Sequence, residues 1–342
     1  MSTDDLDQYD GEWADVIASW QVKKDTAATW EEHRPEFHVD TSHDVRTVMA
    51  AMAAEVKDGP QYDAVPWDWF DGAEIPHLLE QIRHGDTESA DRALSRLWNS
   101  VCHQGTPSTA GTLAVPFLIR TALARPDPDV LLLVGSLARR PHFGSGTRTG
   151  LLRAGEPADR VVFDCGGHNA NWSVQAAQQA IADDADLLLP LLDHPTATLR
   201  AVTAYALAAA PARARARITA ALHTRFATET EPVTRASLVL AIAQLAWETR
   251  DPTTIAHTHT WWRDPTRPTE VRVSAALAWL CLVDDPIPTE LDPLLDEEAT
   301  DHLAALLAPV PWLRDAAPDG GLRTVLDQMR NPDDLPWIAH LG

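Results

Sequence analysis

Apolar residues recur along this chain at helical spacing. Leu94, Leu97, Trp98 and Val101 stand at i, i+3, i+4 and i+7, so Thr87 to Val101 is predicted to be a helix with one buried face. The same reading predicts helices over 75–82, 109–124, 129–138, 174–181, 185–193, 196–210, 214–226, 232–247, 253–262 and 270–282, with closing helices over 301–307 and 322–329. Val45 to Val56 also reads as a short amphipathic helix. No alternating stretch is long enough for a strand, so the chain reads as all-α. Leu94, Leu97, Leu207, Leu240 and Leu277 are the expected core positions.

The helices come in a repeating frame. A turn rich in Pro and acids, then an Arg, then a small and apolar run appears around Arg92, Arg200, Arg235 and Arg272. These arginines are 108, 35 and 37 residues apart, and 108 is three steps of 36. A second marker, Ile75-Pro76, Val115-Pro116 and Leu189-Pro190 followed by apolar residues, recurs at one and two of the same step. A fixed period of this size predicts a right-handed α-solenoid of paired antiparallel helices. The proline in each first helix is expected to kink it. The arginine lies at the wrong end for the helix dipole, so it is expected to bond acids or carbonyls of an adjoining turn.

The Pro-bearing first helices and the starts Pro195 to Ala201 and Pro268 to Val273 resemble HEAT repeats, the armadillo-type paired-helix modules, over about 70–138 and 173–283. The segment Leu97 to Thr106, with its His103-Gln104-Gly105 turn, and the following Ala114 to Leu118 are similar to a bacterial subgroup of those repeats. The resemblance implies a scaffold that binds protein or nucleic acid and implies no assigned activity.

This frame divides the chain. Residues 1–62 are an acidic, Trp-containing segment or cap. The first helix pairs occupy 63–138, a Gly-rich insertion or lid loop 139–172, further pairs 173–283 and an acidic C-terminal cap 284–342. Net charge is −22, and it is concentrated at the ends. That disfavours nucleic acid and anionic membranes as partners and favours a basic one. Residues 200–272 are locally basic, with 10 Arg against 6 acids. The three cysteines are scattered, with no CxxC spacing, which suits a reducing cytoplasm and predicts neither disulfide nor structural zinc. The N-terminus has no signal-peptide pattern and no apolar run is long enough to span a membrane. No cofactor motif is present and none is expected.

Four groups of residues are candidate chemistry. His103-Gln104-Gly105 reads as a helix C-cap, with a ligand contact as the alternative. Asp164-Cys165-Gly166-Gly167-His168-Asn169 combines a thiol, a base and a carboxylate, but the three lie within one loop and the plain reading is a loop before a helix; Cys165 is not expected to be an obligatory nucleophile. His33, His38 and His43 are five residues apart, the wrong spacing for a chelate on one helix face, so no metal site is expected. Among 13 tryptophans, Trp67, Trp69, Trp172, Trp261 and Trp262 lie near predicted element ends, where rings are often partly exposed. With Arg235 and Arg272 they could line an aromatic, cationic groove. The residues expected to contact a ligand are therefore Trp69, His103, Gln104, His168, Asn169, Trp172, Arg235, Trp261, Trp262 and Arg272.

With no catalytic constellation evident, the leading expectation is a non-catalytic module presenting a concave surface to a protein or peptide, in one version an inhibitor of a basic partner. The alternative is an enzyme acting on a small metabolite in an aromatic-lined groove. A solenoid that binds or excises damaged DNA bases ranks third, against the charge.

Overall fold

Local sequence signals set where the helices begin. The computed structural model describes residues 42–103, 106–140, 146–155, 162–164, 166–296, 300–316 and 321–331, all inside one compact unit, Asp40–Gly342. Residues 1–41 lie outside the described residues, and Trp13, Trp20, Trp30, His33 and His38 are among them. Side-chain oxygens of Asp86, Ser108, Asn169, Asp251 and Thr300 each accept a backbone N–H in the first turn of the helix that follows.

The elements are α1 (Val45–Ala51), α2 (Ala54–Asp58), α3 (Ile75–His84), α4 (Thr87–Val101), α5 (Thr109–Ala124), α6 (Pro128–Leu137), α7 (Ala170–Asp183) and α8 (Ala185–Leu188). There follow α9 (Ala197–Ala208), α10 (Ala212–Thr228), α11 (Pro232–Trp247), α12 (Pro252–Arg263) and α13 (Thr269–Leu282). The chain then forms α14 (Asp292–Asp296), α15 (Asp301–Leu307), α16 (Pro311–Ala316) and α17 (Gly321–Arg330). The only sheet among the described residues is a hairpin of two-residue strands, β1 (Cys102–His103) and β2 (Thr106–Pro107). The protein is thus all-helical, with many helices packed against their neighbours, as a helical repeat requires.

The expected core positions are buried, Leu97, Leu207, Leu240 and Leu277 completely and Leu94 to 8% exposure. Three sequence-based expectations are corrected. The stretch 45–56 is two helices broken at Met52, which has extended backbone. The stretch 185–193 changes after Leu188 from α8 to a 3₁₀ turn, Leu189–Asp193. Pro76 does not kink its helix: it sits in the first turn of α3, where its missing N–H has no partner to lose. Among the described residues, Pro116 is the proline interior to its helix.

α6, α9, α11 and α13 pack side by side in chain order. Nearly every residue from Leu199 to Ala208, Thr234 to Ala246 and Val271 to Leu282 is buried, so α9, α11 and α13 are apolar all round. The 3₁₀ turn, α10 and α12 cover part of this row. α15, α16, α17 and the stretch 146–155 cover a further part. Arg139 joins these layers. Buried after α6, it donates to the carbonyls of Gly135 and Tyr205 and to Gln244 Oε1, which also accepts from Trp312 Nε1 of α16. Its guanidinium lies 3.6 Å from the Tyr205 ring centroid and 5.7 Å from that of Trp312.

The described parts of the Gly-rich insertion are bonded to the helices around them. Arg148 donates to the carbonyls of Leu280, Val283 and Asp285; Gly146 N–H donates to Gln328; Leu151 and Leu152 are buried.

Candidate functional site

Of the ten residues singled out in the sequence, the nine that the structure describes fall into two groups. The first gathers where the hairpin, the end of the Gly-rich insertion and the 3₁₀ turn Trp67–Phe70 meet. Its organiser is Asp164, 5% exposed. One carboxylate oxygen accepts from Thr109 N–H and Thr109 Oγ1, both at 2.8 Å; the other accepts from Gly166 N–H at 3.0 Å and His168 N–H at 2.9 Å. Asp164 thereby sews the start of α5 to the loop before α7, across 55 residues of sequence. Thr109 Oγ1 also meets Ser173 Oγ at 2.7 Å. A carboxylate filled by four donors is a structural group; it orients the loop and has no free oxygen to act as a base.

The loop is built for a tight reversal. Gly167 takes φ 80°, in the left-handed region, and Phe163 bridges to Asn169. Asn169 then caps α7 by accepting from the N–H groups of Asn171 and Trp172. This geometry aims His168 at Asp71: Nε2 stands 3.8 Å from Asp71 Oδ2, and the ring packs edge-on to Phe70 at 5.2 Å. The ring is buried and its Nδ1 has no hydrogen-bond partner. Asp71 has a left-handed backbone (φ 58°), which ends the 3₁₀ turn and presents its carboxylate to solvent. Trp69 beside it is 47% exposed and stacks on His43 at 4.1 Å. Trp172 lies 4.5 Å under the Arg46 guanidinium, which is held by Asp44 and Gln175.

His103 pairs with Thr106 in the hairpin, so it does not lie in the last turn of α4; the helix ends at Val101 and Cys102 already belongs to β1. The C-cap reading is corrected accordingly. Gln104, Gly105 and Cys165 lie outside the described residues.

The second group lies on α10 to α13. Trp261 and Trp262 are buried to 7% and 3% exposure, and Trp67 to 5%, which corrects the expectation of open rings. Position near a helix end suggested exposure, but Trp261 packs on Phe226 at 4.5 Å and on His257, and Trp262 on Trp279 and His259. Arg272 Nε donates to the Trp262 carbonyl at 3.3 Å. The Arg235 guanidinium lies 4.9 Å over Phe226; burial, then the charge of Arg267, lowers its pKa from the usual guanidinium value.

The expectation that repeat arginines bond adjoining turns is met at Arg200. It donates to both oxygens of Glu229 at 2.7 Å and to the carbonyls of His194 and Pro195 at 2.9 Å. Arg92 instead pairs with Glu88 of its own helix.

A cleft of about 530 Å³ opens elsewhere, between residues 152–155 and the C-terminal ends of α9 and α11, lined by Gln175, Gln178, Arg215, Trp247 and Glu248 among others. Among the described residues, none of those singled out in the sequence lines it. Among the described residues no three His, Cys, Asp or Glu side chains group as a metal site needs, and no helix is long and apolar enough to cross a membrane. No family model, curated protein or solved structure shows a significant match to this chain.

Proposed function

We propose that the chain is a HEAT-like solenoid that binds a protein or peptide, and that its recognition surface is the loop cluster around Trp69. The concave face expected from the repeat pattern is a poor docking surface, because α9, α11 and α13 are covered by the chain's own α16, α17 and residues 146–155. One observation carries the reading: Trp69, an exposed aromatic ring, stands in the chain between the exposed residues Asp68 and Asp71, beside the loop that Asp164 orders. An exposed indole flanked by carboxylates suits an Arg or Lys side chain, which can stack on the ring and pair with the acid. The charge of −22 supports the same basic partner. Against nucleic acid, the arginines of the basic stretch are engaged: Arg200, Arg213, Arg215, Arg217, Arg225, Arg250, Arg263 and Arg267 each pair with a carboxylate.

A photo-crosslinking residue at position 69 tests this. It should capture one protein, through peptides rich in Lys and Arg, and the same residue at exposed Leu187 should not. Equal capture at both positions, or capture of an acidic surface, would sink the reading. An enzyme is the second reading, favoured by the unbonded Nδ1 of buried His168 beside Asp71. Turnover of an activated ester, lost in His168→Gln, is the outcome it requires.

A further inference from the structure

One arginine of the helical series is closed by a buried carboxylate, and its counterpart in the next unit is not. Glu229, the partner of Arg200, stands 29 residues beyond it. The same step from Arg235 reaches Asp264. Asp264 is one methylene shorter, and it turns elsewhere: it accepts from Thr266 N–H and Oγ1 and pairs with Arg267 at 3.1 Å. Among the described residues no carboxylate is bonded to Arg235 and its buried Nε has no acceptor. Arg267 approaches the same Phe226 ring, at 5.9 Å, and Trp261 completes the apolar wall.

We propose that Arg235 anchors a carboxylate-binding site, in which an acidic ligand takes beside Arg235 the place that the Glu229 side chain takes beside Arg200. The guanidinium fork matches the two oxygens of a carboxylate, and the aromatic floor lowers the local dielectric and strengthens that pair. A single negative charge suffices, because Asp264 already faces Arg267. Arg235 as a whole is only partly buried. An incoming carboxylate would also offset the desolvation and the repulsion from Arg267 that the cation bears, which the nearby charge of Glu229 offsets only in part. This site is separate from the Trp69 surface and does not depend on it.

Titration with acetate, followed on the Nε–Hε NMR signals of the arginines, tests the proposal. The Arg235 signal should move saturably with acetate and not with chloride at equal ionic strength. Arg235→Gln should weaken acetate binding at least about tenfold, the loss expected for a charge-assisted hydrogen bond. Asp264→Glu, which supplies the longer carboxylate from within the chain, should abolish the response. A Glu-containing peptide forms the second arm: tighter binding than acetate assigns the carboxylate to a polypeptide, and equal binding assigns it to a small acid. An Arg235 signal that moves with neither probe overturns the site, as does an unchanged acetate affinity in Arg235→Gln.

Discussion

Single residues set the sharpest energetic features of this protein, and Glu229 is the clearest. Its side chain is fully buried between Arg200 and Arg225. Burial pushes its carboxyl up, but hydrogen bonds from Arg200, the Glu231 N–H and Arg225 outweigh that and hold it at about 2, below the ordinary 4.5. The unfolded chain therefore takes up this proton first. The stabilisation is complete above about pH 4.5 and is lost as pH falls from there through 2. Glu229→Gln should cost about 3 kcal/mol at pH 7 and flatten the acid limb of stability across that window, read by urea unfolding at stepped pH. At the same scale, burial pushes the Cys281 thiol up to about 12 and leaves it 1% exposed. It should resist alkylation in the native protein and react only after denaturation; rapid native labelling would contradict its burial.

Elements were largely legible because their signals are local. Helix starts followed side chains that can cap them, such as Asp86 and Ser108, and the apolar period fixed the phase of α11 well enough to bury Leu240 completely. Leu240→Ala should therefore cost about 2–5 kcal/mol in chemical unfolding, and a change below half a kcal/mol would contradict that packing. The hairpin escaped prediction because strands of two residues are too short to show alternation. The candidate site was legible only in pieces. His168 and Asn169 stood out, but nothing in the local pattern tells that Asp164 meets Thr109 or that His168 faces Asp71; such pairings are set by how helices stack. Trp261 and Trp262 failed for the opposite reason: a helix end is exposed only until another element docks on it.

Across the whole molecule, Arg139 has a consequence for how the fold comes apart. In a plain helical array each unit touches only its neighbours, so stability adds unit by unit and an end can fray alone. Here one guanidinium reaches Gln244, 105 residues away, and Gln244 reaches Trp312, a further 68. The contacts lock α9, α11 and α16 to the end of α6, so none of them can leave without breaking bonds held by the others. Trp312→Ala should cost about 3–5 kcal/mol and split one urea transition into two, with circular dichroism and Trp fluorescence no longer coinciding. A single coincident transition in the variant would show the cross-link to be dispensable. The corollary is kinetic: the clamp closes only after two long loops have found their partners, so this protein should fold slowly for a helical one, and once folded should melt as a unit.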